Sequence, residues 1–204
     1  MQKHPSAHVS LSSNVQNDLL KDVCQRPNIE ACGLLLGSSD EQGNWQIEQV
    51  YPMHNIYTSP VYFEFSPEEL LDAELAHPGE IVGVYHSHPT GLTTASSTDR
   101  ENMQRVNCEQ DIPWVWLIIS GPFNEAFQHK QSITSSVTAY HHYKKLGLRQ
   151  ITVQFAEKNV AVPANIPIAD SEPIGQIFGE KGCHSERSEE SLVGQQTDSS
   201  RCSE

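Results

Sequence analysis

Residues Ile81–His88 read IVGVYHSH, and Pro89 follows at once. The apolar run is read as a strand, and the proline stops it after the second histidine. Residues two apart on a strand share a face, so His86 and His88 project together and Ser87 points away. Two imidazoles on one face form a natural zinc pair, since nitrogen binds Zn²⁺ at about 2.0–2.1 Å. Residues 90–95 turn the chain back. Ser96-Ser97-Thr98-Asp99 then caps a helix and brings Asp99 near the strand's end. Asp99 is thereby a candidate third, anionic ligand. Three protein ligands leave a fourth position for water, the layout of a catalytic rather than a structural zinc site.

Each residue also has a plainer reading. A single histidine can be an ordinary, partly buried side chain. Asp99, three residues after Ser96, also fits a simple capping pattern. The adjacent pair His141-His142 points to opposite faces of a strand and is read as surface. His4, His8, His54, His77, His129 and His184 stand isolated.

Around this segment the chain alternates helices and strands. Residues 8–26 begin extended and continue as a helix capped by Ser12 or Ser13, with Leu19, Leu20 and Val23 on one face and Pro27 at its end. Residues 31–37, ACGLLLG, read as a buried strand. Residues 45–51 alternate as its partner across a turn at 40–44. Residues 61–65 read as another strand. Ser66-Pro67-Glu68-Glu69 has a serine cap, proline at the first helical position and glutamate three after the cap, so a helix runs to about His77. A helix is expected over 96–106, a strongly apolar strand over 114–120, and two or three strands after Gly121-Pro122, the last near Phe155. This order points to an α/β (α+β) domain around a mixed sheet. Residues 1–160 form that domain. Residues 161–204 are expected to be an extended, disordered C-terminal tail, because 170–204 hold seven serines and many charges but few large apolar groups.

Charge and cysteine usage exclude several classes. The formal net charge is −13 and no stretch clusters lysine or arginine, which argues against nucleic acid as a partner. The longest apolar run, 114–119, is far too short to span a bilayer, and the first residues hold no apolar core of a secretory signal. No membrane partner and a cytoplasmic location are therefore expected. Five cysteines, Cys24, Cys32, Cys108, Cys183 and Cys202, form no CxxC spacing, so free thiols are expected.

His86-Ser87-His88-Pro89, with ten residues between His88 and Asp99 and with Ser96 three before that aspartate, resemble the motif of the JAMM/MPN+ zinc metallopeptidases, small bacterial type. One departure is Ala95, where the family carries proline before the serine. The stretch from Glu30 to Gly37, EACGLLLG, and the stretch from Tyr62 to Glu69, YFEFSPEE, are similar to further segments of those small members, so the likeness covers roughly residues 8–155. It implies a JAMM/MPN-type (cytidine-deaminase-like) fold, a mixed β-sheet flanked by helices with zinc at its edge. It also implies that His86, His88 and Asp99 bind the metal, that Glu30 is the general base and that Ser96 stabilises the developing oxyanion. Spacing alone does not separate Glu30 from Glu64 or Glu80; only the resemblance selects it. Cys32 and Cys108 are read as small buried thiols, not nucleophiles. The implied reaction is hydrolysis of a peptide or isopeptide bond, with the Gly-Gly tail of a ubiquitin-like β-grasp sulfur carrier, or a peptide conjugated to it, as substrate. A metal-free MPN-type scaffold and a RadC-like DNA-associated protein are the rival classes. The intact ligand set argues against the first, and the acidic charge and Ser87 against the second.

Overall fold

Three local signals set the helices. In the computed structural model, which describes residues 6–129 and 132–156, the Ser12 side chain caps α1 (Ser13–Gln25) by accepting from the Val15 N–H. Ser66 caps α2 (Pro67–Ala76) in the same way, with Pro67 at its start. Ser96 caps α3 (Ser97–Gln104). Proline has no N–H to leave unpaired at that first position, and a serine oxygen satisfies one of the orphan donors. The helix expected over 96–106 thus ends sooner, and a π-helical segment, Arg105–Glu109, continues it. A short α4 (Glu125–Gln128) lies later in the chain.

The strands are β1 (His8–Leu11), β2 (Cys32–Ser39), β3 (Trp45–Met53), β4 (Ile81–His88), β5 (Val115–Ser120), β6 (Val137–Tyr143) and β7 (Gly147–Phe155). They close into a barrel in the order β1-β3-β2-β4-β5-β6-β7. The short β1 closes it by lying parallel to both β3 and β7. β4 sits between β2, antiparallel, and β5, parallel, with Cys32 opposite His86 and His88 opposite Ser120. The mixed α/β architecture is as expected from the sequence. The sheet closes on itself, because β1 pairs with β7.

Two apolar cores lie on the two faces of β4. Tyr85 packs with Val15, Leu19 and Val23 of α1. Val84 packs with Leu34, Ala73 of α2, Met103 of α3 and Trp116. The alternation of a strand thus assigns Tyr85 and Ser87 to the α1 side and Val84, His86 and His88 to the other.

Two expectations fail. Residues 61–65 form no strand. Their alternating V-Y-F-E-F pattern is that of a strand, but no ladder reaches them; Phe63 and Phe65 pack instead onto the second core. His141 is not at the surface: it is 4% exposed, its Nδ1 lies 2.9 Å from the Trp114 carbonyl oxygen, and its ring meets those of Trp45 and Tyr143. A barrel strand packed on both sides has no solvent face to give it. The expected tail, 161–204, lies outside the described residues, as do His4, His184, Cys183 and Cys202.

Candidate metal centre

β4 brings the two histidines to one point. Their Nε2 atoms are 3.1 Å apart, and both side chains are buried. Asp99, in the first turn of α3, reaches them with both carboxylate oxygens: Oδ1 is 3.2 Å from His86 Nε2 and Oδ2 3.3 Å from His88 Nε2. The three residues are the group of metal-ligating type found among the described residues. Two donors bound tetrahedrally at about 2.0–2.1 Å would lie about 3.3 Å apart, so these separations fit one shared cation.

Neighbouring groups fix the orientation of each ligand. His88 Nδ1 lies 2.9 Å from the Leu92 carbonyl oxygen; a neutral ring that donates its proton there would turn its Nε2 lone pair to a cation, whereas without one Nε2 hydrogen-bonds Asp99. Phe63 stacks on His86 at 4.7 Å between ring centroids and 24° between planes. Asp99 and Ser96 form a reciprocal capping box. The Ser96 N–H donates to Asp99 Oδ2 at 2.7 Å, and the Asp99 N–H donates to Ser96 Oγ at 3.2 Å. The capping and ligand readings of Asp99 are therefore one arrangement: the cap aims the carboxylate at the histidines.

Burial and the hydrogen bonds of the cluster oppose each other. Burial would raise the Asp99 pKa, but hydrogen bonds from His86, His88 and Ser96 overcome it and hold the carboxyl well below the usual range. Burial lowers the His86 pKa, against the hydrogen bond and charge of Asp99, which favours the neutral imidazole that a metal would need. A fourth group completes the cluster. The Glu30 carboxylate, 4% exposed, lies 3.9 Å from His88 Nε2. Burial pushes its pKa up to about 7, partly opposed by His88. A carboxylate near neutrality can both take and return a proton at physiological pH.

Comparison with known proteins places the arrangement. The model for prokaryotic homologs of the JAB domain matches residues 12–134, a span that contains Glu30, His86, His88, Ser96 and Asp99. The chain belongs to this family. A desampylase of Haloferax volcanii is 33% identical over 104 residues, covering 47% of the chain and 73% of that protein. A desampylase of Pyrococcus furiosus is 34% identical over 116 residues, covering 55% and 72%. A solution structure of a protein from Desulfitobacterium hafniense superposes with a TM-score of 0.54 at 26% identity, covering 74% of the chain and 94% of that structure.

Other candidates stay outside this cluster. Glu64 is exposed and accepts from the Tyr62 hydroxyl at 3.1 Å. Glu80 is exposed and pairs with His77. Cys32 is buried, and burial drives its thiol up to about 12, so it stays protonated. Cys108, only partly buried, has its Sγ 3.0 Å from His142 Nδ1, and burial raises its pKa too. Sequence reasoning missed Phe63 and Asn55, because a ring stacked on a ligand and a fully buried amide carry no spacing signal.

Proposed function

We propose that this JAB-family chain is a zinc-dependent hydrolase of peptide or isopeptide bonds, acting at the Gly-Gly tail of a ubiquitin-like β-grasp protein. The observation that carries the proposal is the Glu30 carboxylate beside the buried His86, His88 and Asp99 cluster. Two nitrogens and one carboxylate with an open position suit zinc at a catalytic site. The two relatives named desampylase support the substrate class.

His86, His88 and Asp99 would hold the ion. Bound zinc supplies Lewis acidity, which polarises a carbonyl and makes water nucleophilic at neutral pH. Glu30 takes the proton of that water and returns it to the leaving amine. The Ser96 hydroxyl oxygen accepts from the Asp99 N–H, which leaves its hydrogen to donate to the carbonyl oxygen as charge develops there. Phe63, stacked on His86, shields one side of the ligand from water.

No helix among the described residues is long and apolar enough to cross a membrane. The test is metal analysis of the protein and of His88→Ala, followed by incubation with carrier-protein fusions and mass spectrometry of the cut site. The expected result is one zinc per chain, lost in His88→Ala, and cleavage after Gly-Gly. Equal zinc in both proteins refutes the ligand assignment, and intact fusions refute the substrate.

A further inference from the structure

Glu30 stands just before the first ladder residue of β2, Cys32. Its own backbone bonds go instead to the loop 55–64. The Glu30 N–H donates to the Ser59 carbonyl at 2.8 Å, and the Glu30 carbonyl accepts from Asn55 Nδ2 at 3.1 Å. The next residue is held by the ligand strand: the Ala31 N–H donates to Ser87 Oγ at 2.9 Å, and the Ala31 carbonyl accepts from the Ser87 N–H at 2.8 Å. Glu30 thus lies between a sheet clamp on one side and a loop clamp on the other.

Asn55 is the centre of the loop clamp. It is 0% exposed, and its amide makes three hydrogen bonds. Nδ2 donates to the Glu30 carbonyl and to the Tyr62 carbonyl at 2.9 Å. Oδ1 accepts from the Tyr57 N–H at 3.1 Å. The Ile56 N–H donates to the Glu64 carbonyl at 3.1 Å and closes the loop at its ends. Within that ring the amide of Asn55 ties the two sides of the loop to each other and to Glu30. The same loop carries Phe63, whose ring lies on His86. One buried side chain therefore sets the base and a ligand's neighbour in common register.

We propose that Asn55 is a positioning residue for Glu30, acting on turnover through the placement of that carboxylate and not through the metal or the global fold. This rests on the reading of Glu30 as general base. Replacement leaves the carbonyls of Tyr62, in the loop, and of Glu30 without this donor, so the loop loosens and Glu30 shifts with it. A misplacement of about 1 Å at a reacting group costs up to about a hundredfold in rate.

The experiment compares the zinc-loaded full chain with Asn55→Ala and Asn55→Ser, alone and in a Glu30→Gln background. The probe is a β-grasp protein ending in Gly-Gly joined to a fluorophore amide. Hydrogen exchange, bound zinc and melting temperature are measured alongside. The expected result is faster exchange confined to 28–31 and 55–64, full zinc content, and a kcat lowered about tenfold or more with a smaller change in KM. In the Glu30→Gln background the Asn55 change has almost no further effect on kcat, because the group it positions is gone. Unchanged exchange and kcat, loss of zinc, an equal loss of kcat in the Glu30→Gln background, or unfolding of the whole domain in both variants overturns the proposal. If the wild type leaves the probe intact, the functional reading fails, and the confined exchange change alone decides whether Asn55 holds Glu30.

Discussion

Tyr85→Phe separates the two faces of the ligand strand. The Tyr85 hydroxyl donates to Asp22 Oδ2 at 2.7 Å in a fully buried setting. Burial, with Asp22 adding to it, holds the phenol pKa well above its usual value, so the hydroxyl stays a donor. Asp22 also pairs with Arg26, the residue that caps the C-terminus of α1, and Arg26 donates to the carbonyls of Met53, at 2.7 Å, and Cys32, at 3.1 Å. Removing the hydroxyl keeps the ring in place against Gly33, where no Cβ intrudes. It deletes one hydrogen bond to a charged acceptor, worth about 1.5–3 kcal/mol, while Arg26 still neutralises Asp22. The expected loss is about 2 kcal/mol, or roughly 4–8 °C in Tm for a domain of this size. Urea and thermal melts measure it, with metal analysis on the same samples. Zinc content remains that of the wild type, because Tyr85 faces α1 and His86 and His88 face away. A loss under about 0.5 kcal/mol refutes the buried-bond argument, and a loss of zinc refutes the separation of faces.

Glu30→Gln retains zinc and fold but lowers kcat by about 10²–10⁴-fold, since the amide cannot accept a proton; steady-state kinetics with metal analysis check it. Ser96→Ala costs about 2–4 kcal/mol of barrier and, through the lost cap, about 1 kcal/mol of stability, read separately from kinetics and melts. Zinc affinity is expected to rise with pH, because the cation must displace any proton on the ligand imidazoles and its charge disfavours the protonated form of neighbouring Glu30, whose pKa without metal is about 7; titration calorimetry in buffers of different ionisation enthalpy counts the protons released. In the metal-free protein the raised Glu30 pKa acts on stability in the opposite sense: its contribution is present below the unfolded pKa and is lost as pH rises through about 7.

Local chemistry made most elements legible. Ser12, Ser66 and Ser96 cap the helices that their positions announce, and the proline after His88 ends the strand where the pattern stops. The ligand trio was readable because its partners are two and thirteen residues apart and joined by one turn. Glu30 was not readable from spacing, since its approach to His88 depends on the pairing of β2 with β4. The same holds for barrel closure, which rests on the parallel contacts of a four-residue strand, β1, with two distant ones. Residues 61–65 misled because aromatic alternation marks a half-buried surface, and here a loop wrapped around the Asn55 amide supplies that surface.

The ladders on both sides of β4 have a consequence for how the ion is exchanged. His86 is carried by a strand hydrogen-bonded to two neighbours, and Asp99 by a helix that caps itself. Zinc fingers spend their binding energy on folding and come apart under chelators. Here the donors are preorganised by the barrel, so a chelator withdraws only the mass-action share of stability. The folded scaffold is therefore expected to outlive removal of a metal, and Co²⁺ added to the metal-free protein would then report the ligand field spectroscopically without refolding the chain.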